Sequence, residues 1–127
     1  MSYRILLADD SPGILDALTD ILEARGYEIA SVADGLKLIE KARDWLPHLI
    51  IADLMMPGAY GSTACKTLQQ DPRTSHIPVI FLTAVEENAA KRLVPESLKA
   101  RLLTKPMDVG LLLQTITEFL PPLGPTK

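Results

Sequence analysis

Short apolar runs alternate five times with stretches of helical spacing, and this alternation constrains the fold more than any other feature of the chain. The runs are Ile5-Leu6-Leu7-Ala8, Tyr27 to Val32, Leu49-Ile50-Ile51-Ala52, Val79-Ile80-Phe81-Leu82 and Arg101-Leu102-Leu103. Three of them are solidly hydrophobic, as a strand buried on both faces requires. The second is mixed, with Glu28 and Ser31 among Tyr27, Ile29, Ala30 and Val32, as suits an edge strand. Such a β-α repeat predicts an α/β fold: a doubly wound, five-stranded parallel sheet with helices on both faces, because each crossover is right-handed. The flavodoxin-like strand order 2-1-3-4-5 suits five strands.

The intervening stripes are Ile14, Leu15, Leu18, Ile21 and Leu22; Leu38, Ile39, Ala42, Trp45 and Leu46; and Leu112, Leu113, Ile116, Phe119 and Leu120. Ser11-Pro12 reads as an N-cap and first helical residue, Arg25-Gly26 as a helix stop, and Asp34-Gly35 as the opening of the second helix. Two helical segments are weaker. The third, around Gly61 to Leu68, offers Ala64, Cys65 and Leu68. The fourth, from about Glu86, has only Ala89, Ala90, Leu93 and Val94 before Pro95, which marks it as a candidate mobile element.

At 127 residues the chain suits one compact domain, read here as residues 1–120 with a Pro-rich tail or linker at 121–127. Its formal charge of −3, without a basic run, argues against direct nucleic-acid binding. The one cysteine, Cys65, permits neither an intrachain disulfide nor a cysteine metal cluster, and it reads as a small buried side chain. No signal-peptide pattern or membrane-length apolar run occurs, so a cytoplasmic location is expected.

The residues that carry chemistry stand at the carboxyl ends of the buried runs. Asp9 and Asp10 come directly after the first, Asp53 after the third, Thr83 ends the fourth, and Lys105 lies just past the fifth. In a parallel sheet these positions share the carboxyl edge, where such folds bind ligands. Singly, each has an ordinary explanation as a helix cap, a strand end or a solvated charge. Together they place three carboxylates near one another, which repel unless a cation compensates. Lys105 supplies one charge, and a divalent metal is the natural remainder. Mg²⁺ suits hard oxygen ligands and a phosphate oxygen. Asp53 is then the natural nucleophile, since a carboxylate can form an acyl phosphate. Phosphoryl transfer chiefly needs positioning and neutralised charge, and the metal, Lys105 and the Thr83 hydroxyl can each meet one oxygen.

These residues carry a resemblance. The acidic pair Asp9-Asp10, the run from Asp53 through Met56-Pro57 to Gly61, Thr83-Ala84 and Lys105-Pro106 resemble the response-regulator receiver family of two-component signalling, over residues 4 to 120. The resemblance implies that Asp53 is the phosphoacceptor. Asp10, Asp53 and the Met55 backbone carbonyl would hold Mg²⁺, with Asp9 acting mostly through water. Lys105 would pair with the phosphoryl group, and Thr83 would swing in to hydrogen-bond it. Lys105-Pro106 would be a candidate cis peptide bond. The implied donor is a histidine kinase, a phosphotransfer protein or a small acyl phosphate, and the implied output is contact with a downstream protein target.

The chain also departs from the family. Leu102 stands where the family usually has an aromatic residue, and Leu98-Lys99-Ala100 replaces the usual Gly-Ala turn, so the readout is expected to differ. Met55 and Val85, two residues beyond Asp53 and Thr83, are apolar and cannot orient an attacking water, which implies slow hydrolysis of the phosphorylated form. One alternative is a receiver-like binding module that uses no phosphate. Another is an enzyme of the same fold, but a flavodoxin's hydroxyl-rich loop, a dinucleotide-binding Gly-x-Gly-x-x-Gly and a haloacid-dehalogenase-like Asp-x-Asp are all missing. His48, opposite the acidic edge, and His76, in a polar loop, read as surface or structural residues, and Trp45 as packed on the sheet.

Overall fold

The computed structural model describes residues 2–54, 61–84, 100–105 and 108–121, with backbone only for 61 and 62. Five parallel strands, β1 (Arg4–Ala8), β2 (Glu28–Val32), β3 (Leu49–Asp53), β4 (Val79–Thr83) and β5 (Ala100–Thr104), stand in the order β2-β1-β3-β4-β5. Four helices lie within the described residues: α1 (Pro12–Glu23), α2 (Gly35–Trp45), α3 (Gly61–Gln69) and α4 (Val109–Phe119). The strand order is the flavodoxin-like one expected. The helical segment anticipated from Glu86 lies outside the described residues. Among the described residues, no helix is long and apolar enough to cross a membrane.

The solid runs are solid because alternate residues feed two different cores. Leu6, Ala8, Ile50, Ala52, Val79 and Phe81 pack with Leu38 and Ala42 of α2 and Ala64, Cys65 and Leu68 of α3. Ile5, Leu7, Leu49, Ile51, Ile80 and Leu82 pack with Leu18 and Leu22 of α1 and Leu112 and Ile116 of α4. All ten residues of β3 and β4 are buried, whereas β2 and β5, at the sheet's edges, are mixed. Residues that face opposite ways both meet apolar side chains, so the period-2 polar signal vanishes from the central strands. Truncating fully buried Phe81 to alanine would therefore cost about 3–5 kcal/mol.

Local chemistry sets the helix ends. Ser11 Oγ accepts from the Ile14 amide at 3.4 Å, with Pro12 as first residue of α1, and Asp34 Oδ1 accepts from the Lys37 amide at 2.8 Å. Asp108, for which the sequence suggested no role, caps α4 through the Leu111 amide at 3.1 Å. After α1, Gly26 takes φ 90°, a conformation that glycine enters without a Cβ penalty. After α2 the corresponding residue is Leu46, at φ 52°, where a side chain costs on the order of 1 kcal/mol. Arg4 offsets this by donating from Nε and Nη2 to the Trp45 and Leu46 carbonyls at 3.1 and 2.9 Å. The half-buried Trp45 ring packs against the α2–α3 core, as expected, with the Arg4 and Lys41 cations 5.9 and 5.5 Å from its centroid.

Candidate functional site at the carboxyl edge of the sheet

The central strands deliver their last residues to one edge. Asp9 follows β1, Asp53 ends β3, Thr83 ends β4 and Lys105 follows β5. Parallel pairing holds them in register: Ala8 lies opposite Ala52, Asp53 opposite Leu82, and Thr83 opposite Thr104. The Lys105 amide donates to the Thr83 carbonyl at 2.7 Å, which continues the β4–β5 ladder and points the lysine back toward the centre of the sheet.

One carboxylate oxygen from each of Asp9, Asp10 and Asp53 lies within 4.8 Å of the others. Lys105 Nζ donates to Asp9 Oδ2 at 3.1 Å and to Asp53 Oδ2 at 3.3 Å. Asp9 and Asp53 are buried, Asp10 is exposed and Thr83 is fully buried. Burial of the Lys105 ammonium is the largest single influence on it and favours the neutral form. The Asp9 hydrogen bond and the charges of Asp53 and Asp9 outweigh burial, so its pKa stands above the usual 10.5. The lysine is charged at any physiological pH.

The two members of the acidic pair differ in what occupies them. Asp9 Oδ1 accepts the Ser11 amide at 2.9 Å and its Oδ2 takes Lys105, so both oxygens are engaged. This is an Asx-turn, and Ser11 belongs to the site through its backbone as well as capping α1. An aspartate two residues ahead of a serine was the available sign of it. Asp10 carries no ion pair among the described residues. A metal would thus find its oxygens chiefly on Asp10 and Asp53. The donor set is hard, anionic and compact, with three carboxylates against one ammonium, and it fits a small divalent cation such as Mg²⁺.

Sequence and geometry agree on which side chains gather: Asp9, Asp10, Asp53 and Lys105 meet, and Thr83 stands at the end of the neighbouring strand. Met55, Val85 and Pro106 lie outside the described residues. Leu102, opposite Phe81, is half-buried and packs against the α2–α3 core. His48 lies at the far end of β3, away from the acidic edge. Cys65 is buried in the core, which pushes its thiol up to about 12.

The family model of the response regulator receiver domain matches residues 5–117. Among curated relatives, the response regulator PleD of Caulobacter vibrioides is 38% identical over 122 residues, covering 94% of this chain but 27% of PleD. Protein PilH of Pseudomonas aeruginosa is 36% identical over 117 residues, covering 92% of this chain and 97% of PilH. Among solved structures, the receiver domain of a Pseudomonas aeruginosa sensor histidine kinase, with a magnesium ion coordinated in its active site cleft, superposes with a TM-score of 0.85. At 22% identity, over 94% of this chain and 98% of that one, this likeness speaks for the fold. The chain belongs to the response-regulator receiver family. It spans about a quarter of PleD's length and nearly all of PilH's.

Proposed function

We propose that this chain is a phospho-accepting switch: Asp53 takes a phosphoryl group from a histidine kinase or phosphotransfer protein, with Mg²⁺ present, and the modified domain changes its contacts with a downstream protein. The observation that carries this reading is the convergence of three aspartates within 4.8 Å around a lysine that bonds both Asp9 and Asp53.

Each residue has a chemical task. An oxygen of Asp53 attacks phosphorus, an O–P bond forms, and the P–N bond of a phosphohistidine (or the P–O bond of an acyl phosphate) breaks as the donor leaves with the electron pair. Lys105 stands 3.3 Å from Asp53 and neutralises charge on the incoming group. Thr83, at the end of β4, offers a hydroxyl to another phosphoryl oxygen. Ser11 and Lys105 keep Asp9 oriented. Asp10 and Asp53, with the Met55 carbonyl, would hold Mg²⁺, and Asp9 would act mostly through water. When bound, the ion would supply positive charge beside the oxygens of the transferring phosphoryl group. The magnesium ion in the cleft of the Pseudomonas aeruginosa receiver domain supports this choice of metal. For output, Leu102 would repack against the core as Thr83 shifts, without the hydroxyl that a tyrosine would trade with solvent.

The test is incubation with a small acyl phosphate and Mg²⁺, followed by intact mass. Wild type should gain one phosphoryl group and Asp53→Ala none. An unmodified wild type would leave a receiver-like fold that recognises partners without phosphate, and equal gain on Asp53→Ala would move the acceptor elsewhere.

A further inference from the structure

The end of the sheet opposite the acidic site holds an arrangement that phosphoryl chemistry does not use. The Tyr3 hydroxyl donates to the Pro121 carbonyl at 2.7 Å, where the chain leaves α4. The Tyr3 ring meets the His48 ring edge-on, centroids 5.3 Å apart and planes at 80°. His48 in turn grips Arg4 twice: its backbone amide donates to the Arg4 carbonyl at 2.8 Å, and its Nδ1 accepts the Arg4 amide at 2.9 Å. Behind Tyr3, the Glu28 amide holds the Tyr3 carbonyl at 2.9 Å.

A peptide N–H can only donate, so Nδ1 must carry a lone pair and His48 must be neutral, with its proton on Nε2. Protonation converts Nδ1 into a donor facing a donor, and the contact fails. We infer that Tyr3, Arg4 and His48 form a pH-responsive latch that ties the chain's exit from α4, at Pro121, to the start of β1. The charged groups facing His48 are the Arg4 guanidinium, from β1, and Glu28, from β2; the Tyr3 phenol is its titratable ring neighbour. Partial burial first, and Arg4 second, lower the histidine's pKa below the usual 6.5, while Glu28 opposes them. The latch is therefore closed at neutral pH and opens under mild acid, which loosens the Tyr3–Pro121 tie at the end of α4.

His48 directly precedes β3 and Asp53 is its last residue, so the two stand at opposite ends of the strand and this test is independent of the phosphoryl chemistry. Amide exchange and NMR shifts of the full chain are followed as pH is lowered from about 7.5 to about 5.5, the range in which histidine changes charge. In wild type, exchange of the Arg4 amide, corrected for intrinsic chemistry, should rise roughly five- to tenfold, the loss of one net hydrogen bond. The Leu120 and Pro121 signals should shift in parallel. His48→Asn, whose side-chain oxygen accepts without titrating, should abolish both responses. Tyr3→Phe should leave the Arg4 response intact and uncouple the Leu120 and Pro121 signals from pH. A flat Arg4 response in wild type, the same rise in His48→Asn, or Leu120 and Pro121 signals in Tyr3→Phe that still follow pH would each overturn the latch.

Discussion

Replacing Lys105 with methionine keeps the length and apolar stem of the side chain and removes the cation that, among the described residues, bridges Asp9 and Asp53. The lysine side chain is 20% exposed, against 4% for Asp9 and 11% for Asp53, so water can replace little of what is lost. At an effective dielectric constant of about 20, contacts of 3.1 and 3.3 Å are each worth about 5 kcal/mol of gross attraction. Desolvation of the lysine cancels much of this, and breaking such a pair from one side costs about 3–5 kcal/mol because the buried partner charge stays behind. The remaining exposure of Lys105 points to the low end, about 3 kcal/mol. Urea unfolding at neutral pH in a chelator measures it. The missing charge should also make the variant lean harder on metal than wild type. Free Mg²⁺ at tenfold its Kd adds about 1.4 kcal/mol to any folded state that binds it, and the variant's Kd should be the lower one. A loss under about 1 kcal/mol, the size of an exposed ion pair, would refute the picture of a charge-starved pocket. So would a variant that gains nothing from Mg²⁺. The sign with pH is fixed as well: because the Lys105 pKa is raised, its contribution holds below 10.5 and fades only as pH climbs through the folded-state value.

Four further outcomes are expected. Millimolar Mg²⁺ should raise the melting temperature of wild type but not of Asp53→Asn, which loses a charged ligand; equal shifts in both would argue against this metal site. The phosphorylated protein should lose its label slowly, because Met55 and Val85 cannot orient water, and a lifetime of seconds would count against that reasoning. The Cys65 thiol, pushed to about 12 inside the core, should resist a thiol reagent in the native state at mildly alkaline pH; labelling as fast as in denaturant would show that the core opens readily. Hydrogen bonds from Arg73, aided by the charges of Arg73 and Arg43, hold Asp71 at about 2, below its usual 3.8. Its contribution is present above 3.8 and lost as pH falls through about 2, so an acid unfolding series should lose slope in that window on Asp71→Asn.

The sequence by itself determined the order of elements and which edge gathers the acidic residues and Lys105. Solid runs such as Leu49-Ile50-Ile51-Ala52 demand burial on both faces, and the right-handed crossover then fixes where each strand ends. Asp53, Thr83 and Lys105 could be placed on one rim from their positions at the ends of those runs. Helix starts were legible at Ser11 and Asp34 because capping is local, involving an amide three residues on. Only the tertiary structure decided that Lys105 reaches Asp9 and Asp53 at once, across sequence separations of 96 and 52 residues. It also decided that Asp9 is buried and doubly engaged while its neighbour Asp10 is exposed. Arg4 on the α2 terminus, Arg43 of α2 reaching Asp71 beyond α3, and His48 accepting a strand amide left no sequence signature either. Periodicity and caps follow from the backbone's own repeat, which any stretch of sequence carries. Distances between side chains on different elements follow from how two cores pack against one sheet, and no local pattern encodes that.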